Sequence, residues 1–136
     1  RFADLVTAMN TDTKSFQKII ETVFNYWVSP ECDIGGIQSW ADYSGGVVSA
    51  FEGAMASAQS GTDTAIFTSG GTIATMVGHV LRLTSDRVYE FYEPVFNCSI
   101  TRIIFNSRKC SLSTFNDVGH LHFMSAQLQE RLVTYR

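Results

Sequence analysis

A chain of 136 residues, 45% hydrophobic and 12% aromatic, is long enough for one packed core and reads as one domain over residues 1–136. Only 17% of its residues are charged and the net charge is −3, which excludes a basic nucleic-acid binder and an intrinsically disordered chain. No apolar run approaches the roughly 18 residues that cross a bilayer, and no secretory signal is visible. A cytoplasmic setting with no membrane and no nucleic-acid partner is therefore expected. The three cysteines, Cys32, Cys98 and Cys110, are odd in number and match no metal-binding spacing. They read as reduced thiols, and neither a metal nor a cofactor is expected.

In chain order, Arg1 to Asn10 is weakly amphipathic and reads as the tail of a helix. A clear helix follows, because Phe16, Ile19, Ile20, Val23, Phe24 and Trp27 form one apolar stripe at helical spacing. Asp12 or Thr13 caps its start and Ser29-Pro30 stops it. A second helix begins after Ser39, where Asp42 three residues on gives a capping-box-like start. Trp40, Tyr43, Val47, Phe51, Ala54 and Ala58 make its inward face. Gly45-Gly46 lies inside that pattern at roughly 1 kcal/mol per glycine relative to alanine, which predicts close packing or a kink there.

Thr64 to Thr68 reads as a short strand buried on both faces, followed at once by Ser69-Gly70-Gly71-Thr72 and a third helix to about Leu83. Thr84 to Tyr92 is a short helix or a loop, broken by Pro94. Cys98–Phe105 and Cys110–Phe115 read as two strands of an antiparallel hairpin around the polar turn Asn106–Lys109. Cys98 and Cys110 then lie on adjacent strands as small buried residues. The segment from His120 to Arg136 is a loop with a short helix. The fold class is α/β with a thin sheet whose centre is exposed, so partner strands are expected outside the sequence.

The turn Ser69-Gly70-Gly71-Thr72 is the best candidate for chemistry. A helix N-terminus leaves backbone N–H groups unpaired and carries partial positive charge, and glycine lets an anion come close. The plainer alternative is a tight strand-to-helix turn in which glycine relieves crowding. His79 falls off the apolar stripe of its helix and reads as a surface residue, as does His122. His120 reads as a structural hydrogen-bonding histidine or as an acid or clamp near a phosphate pocket. Asn97 either faces that pocket or bonds its own backbone. A hydrolase triad of Ser69, His120 and Asp117 fails, since Ser69 lies in no G-x-S-x-G elbow.

The run Phe67-Thr68-Ser69-Gly70-Gly71-Thr72-Ile73-Ala74 resembles the strand–turn–helix of the histidine phosphatase superfamily. Three further stretches match in order. Ser39-Trp40-Ala41-Asp42-Tyr43 is similar to the family's E-S-W-x-x-F helix start. Asn97-Cys98-Ser99-Ile100-Thr101 resembles the beginning of its penultimate strand, and Phe115-Asn116-Asp117-Val118-Gly119-His120-Leu121 its closing N-D-x-x-H-L segment. The resemblance spans residues 20–122. It implies a three-layer α/β/α sandwich with a mostly parallel sheet, of which this chain is the carboxyl-terminal part. The amino-terminal strand, with its R-H-G nucleophile, is expected ahead of Arg1.

The resemblance also implies an activity: hydrolysis or transfer of phosphomonoester groups through a phosphohistidine, with two arginines and a second histidine clamping the phosphate. The implied ligand is a small phosphorylated substrate or inorganic phosphate. Carried onto this sequence, the catalytic candidates are Ser69 and His120, and the phosphate-binding candidates are Ser69, Gly70, Gly71, Thr72 and Asn97. The sequence departs from the family at three positions. Ser69 stands where the second histidine is usual, Gly46 where the helix often carries arginine, and Gln38 where a glutamate precedes Ser-Trp. A neutral donor in place of a charged one loses roughly 1.5–3 kcal/mol, or roughly 10- to 150-fold in rate. The alternative is a non-catalytic phosphate-ester binding or regulatory domain that kept the fold. A third is an inert fragment whose exposed sheet edge needs a partner segment. A homo-oligomer is left open.

Overall fold

The computed structural model describes residues 13–134; the expected helix tail over Arg1–Asn10 lies outside them. Helix α1 spans Thr13–Val28. Its Phe16, Ile19, Ile20, Phe24 and Trp27 are half-buried, whereas Val23 drops out of the stripe at 55% exposure. Beyond the helix end, Ser29 folds back, its hydroxyl donating to the Tyr26 carbonyl at 2.9 Å, and Pro30 cannot extend the helix.

Helix α2 spans Trp40–Ser57 and is capped as the sequence predicts. The Asp42 N–H donates to Ser39 Oγ at 3.1 Å, and the Ser39 hydroxyl donates to Asp42 Oδ2 at 2.7 Å. The close packing expected at Gly45-Gly46 is not found. The helix is continuous through both, both are exposed, and nothing lies within 4 Å of where a Cβ would sit on either. Those glycines weaken the helix without easing any contact.

Helix α3, Gly70–Leu81, is the centre of the core. Ala74 and Val77 are completely shielded, and Met76 is nearly so. Around α3 gather Phe51 of α2, Val88, Val95, Leu121, and Tyr89 of the short helix α4, Tyr89–Tyr92. Close approach is real at Gly78, where a Cβ would meet Val88 Cγ2 at 2.9 Å. Arg82 ends α3 in the left-handed region (φ 57°), with the Leu83 N–H reaching back to the Gly78 carbonyl at 2.8 Å.

Strands β1, Ile100–Phe105, and β2, Cys110–Asp117, form the antiparallel hairpin. Asn106 Oδ1 accepts the N–H groups of Arg108 and Lys109 and shapes the turn. Cys98 lies outside β1, exposed and at φ 59°, at the end of the hairpin opposite Cys110, which pairs with Phe105. The two thiols are therefore neither adjacent nor both buried, contrary to the sequence reading. Burial pushes the Cys110 thiol above its ordinary pKa, against a smaller lowering effect of a hydrogen bond with the Ser111 backbone.

The α/β class stands, but the sheet among the described residues has two strands, β1 and β2. The expected strand Thr64–Thr68 is irregular and exposed, with Ile66 at 50% and Phe67 at 97%. A strand exists only through its ladder partners, and none pairs with this segment. It and β1 both line an open groove of about 1700 Å³, and the Arg102 guanidinium reaches Asp63 at 3.9 Å. After β2 come a 3-10 turn, Gly119–Phe123, and helix α5, Ala126–Leu132. No helix among the described residues is long and apolar enough to cross a membrane.

Candidate functional site

The site is built around the first turn of α3. Ser69 is its N-cap, extended at φ −86° and ψ 162°, yet its side chain makes no capping bond to the helix. The first helical bond is Ile73 N–H to the Ser69 carbonyl at 3.0 Å. The N–H groups of Gly70, Gly71 and Thr72 precede it and have no acceptor among the described residues. No acidic residue occupies that first turn, so nothing offsets the positive end of the helix dipole. Ser69 is exposed, and Ser69 and Gly70 open onto the large groove.

The turn is buttressed from behind. Gly71 packs against two aromatic residues: a Cβ there would sit 3.3 Å from the Tyr43 hydroxyl and 3.7 Å from the Tyr92 ring. Tyr43 belongs to an aromatic cluster with Phe24, Trp27, Trp40, Tyr89 and Tyr92, whose ring centroids are 5.2–6.1 Å apart. The Trp40 indole N–H donates to Ser85 Oγ at 2.8 Å and that of Trp27 to the Gln38 carbonyl at 2.9 Å, fixing both rings.

The other sequence candidates fall in different surroundings. His120 is exposed and lines the same groove as Ser69 and Gly70. Asn97 also reaches the groove, but its side-chain amide donates to Thr134 Oγ1 at 3.0 Å and its N–H to the Thr134 carbonyl. Asn97 thus lies on the groove, and its hydrogen bonds go to the distant Thr134 rather than to its own backbone. His79 is exposed, 3.5 Å from Glu52, and His122 is exposed as well. No group of three or more His, Cys, Asp or Glu among the described residues is placed to hold a metal.

Sequence reasoning placed Asn116 in the N-D-x-x-H-L segment but missed what its side chain does. Asn116 adopts φ 57° and fastens the loop before β1, accepting the Phe96 N–H at 2.8 Å and donating to the Pro94 carbonyl at 2.6 Å. The signal was available, because asparagine is the side chain most at home in that backbone region. Asp117 beside it accepts the Gly119 N–H at 2.7 Å, and Leu121 is buried. The N-D-x-x-H-L segment is thus a structural clasp that leaves His120 outward. Ser99 Oγ, on the groove wall, is shielded and has no hydrogen-bond partner among the described residues.

A family model, the histidine phosphatase superfamily (branch 1), matches residues 9–118. The chain belongs to the histidine phosphatase superfamily. The match takes in the Ser39 cap, the Ser69–Thr72 turn and Asn116-Asp117, and stops short of His120. Membership makes phosphatase or phosphotransfer chemistry, on small phosphorylated molecules, the type to which the chain is related. No curated protein and no solved structure matches the chain.

Proposed function

We propose that this chain is the phosphate-holding part of a phosphomonoester hydrolase that works through a phosphohistidine, with an altered site. The complete domain is a three-layer α/β/α sandwich with a mostly parallel sheet, residues 1–136 contributing to one domain in a cytoplasmic protein. The single observation that carries the reading is the open first turn of α3, with three unpaired N–H groups behind an exposed Ser69. In this reading the amides of Gly70, Gly71 and Thr72 hold the non-bridging phosphate oxygens, where negative charge grows during transfer. Ser69 donates one neutral hydrogen bond where the family's second histidine donates a charged one. His120, on the same groove, protonates or clamps. Asn97, with one amide hydrogen engaged by Thr134, has its second for the phosphate.

The nucleophilic histidine of the family's R-H-G motif is not in this sequence. The test is turnover of p-nitrophenyl phosphate by the full-length protein, with trapping of an acid-labile phosphohistidine. Turnover with trapped phosphoenzyme is expected, and its absence across a broad pH range removes the enzyme claim. The second reading is a phosphate-ester binding or regulatory domain without chemistry. It is favoured by Ser69, Gly46 and Gln38 and by the engagement of Asn97 with Thr134. Phosphate binding without turnover distinguishes it.

A further inference from the structure

One long-range hydroxyl contact, from Tyr43 to Thr72, ties the aromatic cluster to the first turn of α3, and a local one carries on to Ser69. The Tyr43 ring lies 5.2 Å from Trp27 and 5.8 Å from Trp40, centroid to centroid, and is half-buried. Its hydroxyl is 3.3 Å from Thr72 Oγ1, a residue 29 positions away in sequence. Thr72 Oγ1 in turn is 3.4 Å from Ser69 Oγ. Thr72 is the hinge of this chain of three hydroxyls, and a single threonine proton cannot serve both neighbours at once. A phenolic hydroxyl is the better donor, so the satisfied arrangement has Tyr43 donating to Thr72. The Thr72 proton is then directed at Ser69 or at an oxyanion seated on the turn. Both separations, 3.3 and 3.4 Å, exceed the usual 2.5–3.0 Å for paired hydroxyls.

We infer that Tyr43 is a positioning residue for the phosphate turn, acting through Thr72 on Ser69; this rests on the reading of that turn as a phosphate site. The rigid ring fixes the phenol oxygen, the phenol orders the Thr72 proton, and that proton either braces Ser69 or meets phosphate directly. Gly71 favours it, because a Cβ there would sit 3.3 Å from the Tyr43 hydroxyl and push it by a few tenths of an ångström.

Tyr43→Phe deletes one oxygen and keeps the ring. Inorganic phosphate is titrated into the full-length protein while the amide resonances of Gly70, Gly71 and Thr72 are followed by NMR. Tyr43→Phe should weaken phosphate by about 3- to 10-fold, with the melting temperature little changed. Thr72→Val should lose as much, Thr72→Ser should recover wild-type affinity within about 2-fold, and Tyr43→Phe with Thr72→Val should bind no worse than Thr72→Val alone. If wild-type protein shows no phosphate-dependent shifts at these amides, the phosphate-site reading fails and the inference with it. If wild type binds but Tyr43→Phe binds equally well, or the two losses add in full, the relay alone is refuted.

Discussion

Three helices among the described residues start on a serine in nearly the same backbone conformation, and two of them, α2 and α3, end up chemically opposite. Ser39 (φ −66°, ψ 155°) and Ser69 (φ −86°, ψ 162°) are both extended N-caps. At α2, the Ser39 hydroxyl takes up the Asp42 N–H and the Asp42 carboxylate supplies negative charge, so the end is closed and neutralised. At α3, the third residue is Thr72, the Ser69 hydroxyl turns to it, and the amides stay open. The difference lies in the third position rather than in the cap residue. An acid there consumes the helix end for stability, whereas a neutral hydroxyl behind two glycines keeps it available to a ligand.

The contrast can be broken from the α3 side first. Thr72→Glu copies the α2 solution, and a carboxylate roughly 5 Å from bound phosphate should cut affinity by about 100-fold or more. The same change should raise stability by about 0.3–1 kcal/mol. Unchanged phosphate binding in an NMR titration would mean that the anion sits elsewhere. Ser69→His should act oppositely, raising phosphatase rate or phosphate affinity by roughly 10- to 100-fold. That gain should fade above about pH 6.5, as the imidazolium loses its proton. A flat pH profile would show that charge is not what the serine lacks.

On the α2 side, Ser39→Ala should lower stability by about 1 kcal/mol, seen as a melting shift of about 3–5 °C, and leave phosphate binding untouched. Gly46→Ala, at an exposed helical position with no neighbour to clash, should add about 0.5–1 kcal/mol. The smallest effect concerns pH. Because burial raises the folded-state pKa of Cys110, its contribution is complete below the unfolded value of about 8.5 and declines as pH climbs through the folded one. Replacing Cys110 with Ala should flatten that alkaline loss, measured by denaturant unfolding.

Local chemistry carried much of this in the sequence. The apolar stripe of α1, the Ser39–Asp42 cap and the hairpin turn at Asn106 each rest on residues a few positions apart, and each is found where the sequence puts it. What was not legible depends on distant partners. Thr64–Thr68 has strand-forming residues, but nothing among the described residues pairs with it. Cys98 looked like a strand residue until its positive φ placed it in the preceding loop. Gly45-Gly46 suggested a tight neighbour, whereas the tight neighbours belong to Gly71 and Gly78. Of the candidate site, the Ser69–Thr72 turn was readable, and the contacts of Tyr43 with Thr72 and of Asn97 with Thr134 were not, because they join residues 29 and 37 positions apart.

The outward row of β1 reads Ile100, Arg102, Ile104, with both isoleucines more than half exposed and a single charge between them. That charge is a gatekeeper: a bare, greasy strand margin invites another copy to zip alongside it, and one guanidinium in mid-row makes the zipping costly. Arg102→Val should therefore precipitate at concentrations the unaltered chain tolerates, as a turbidity measurement would show.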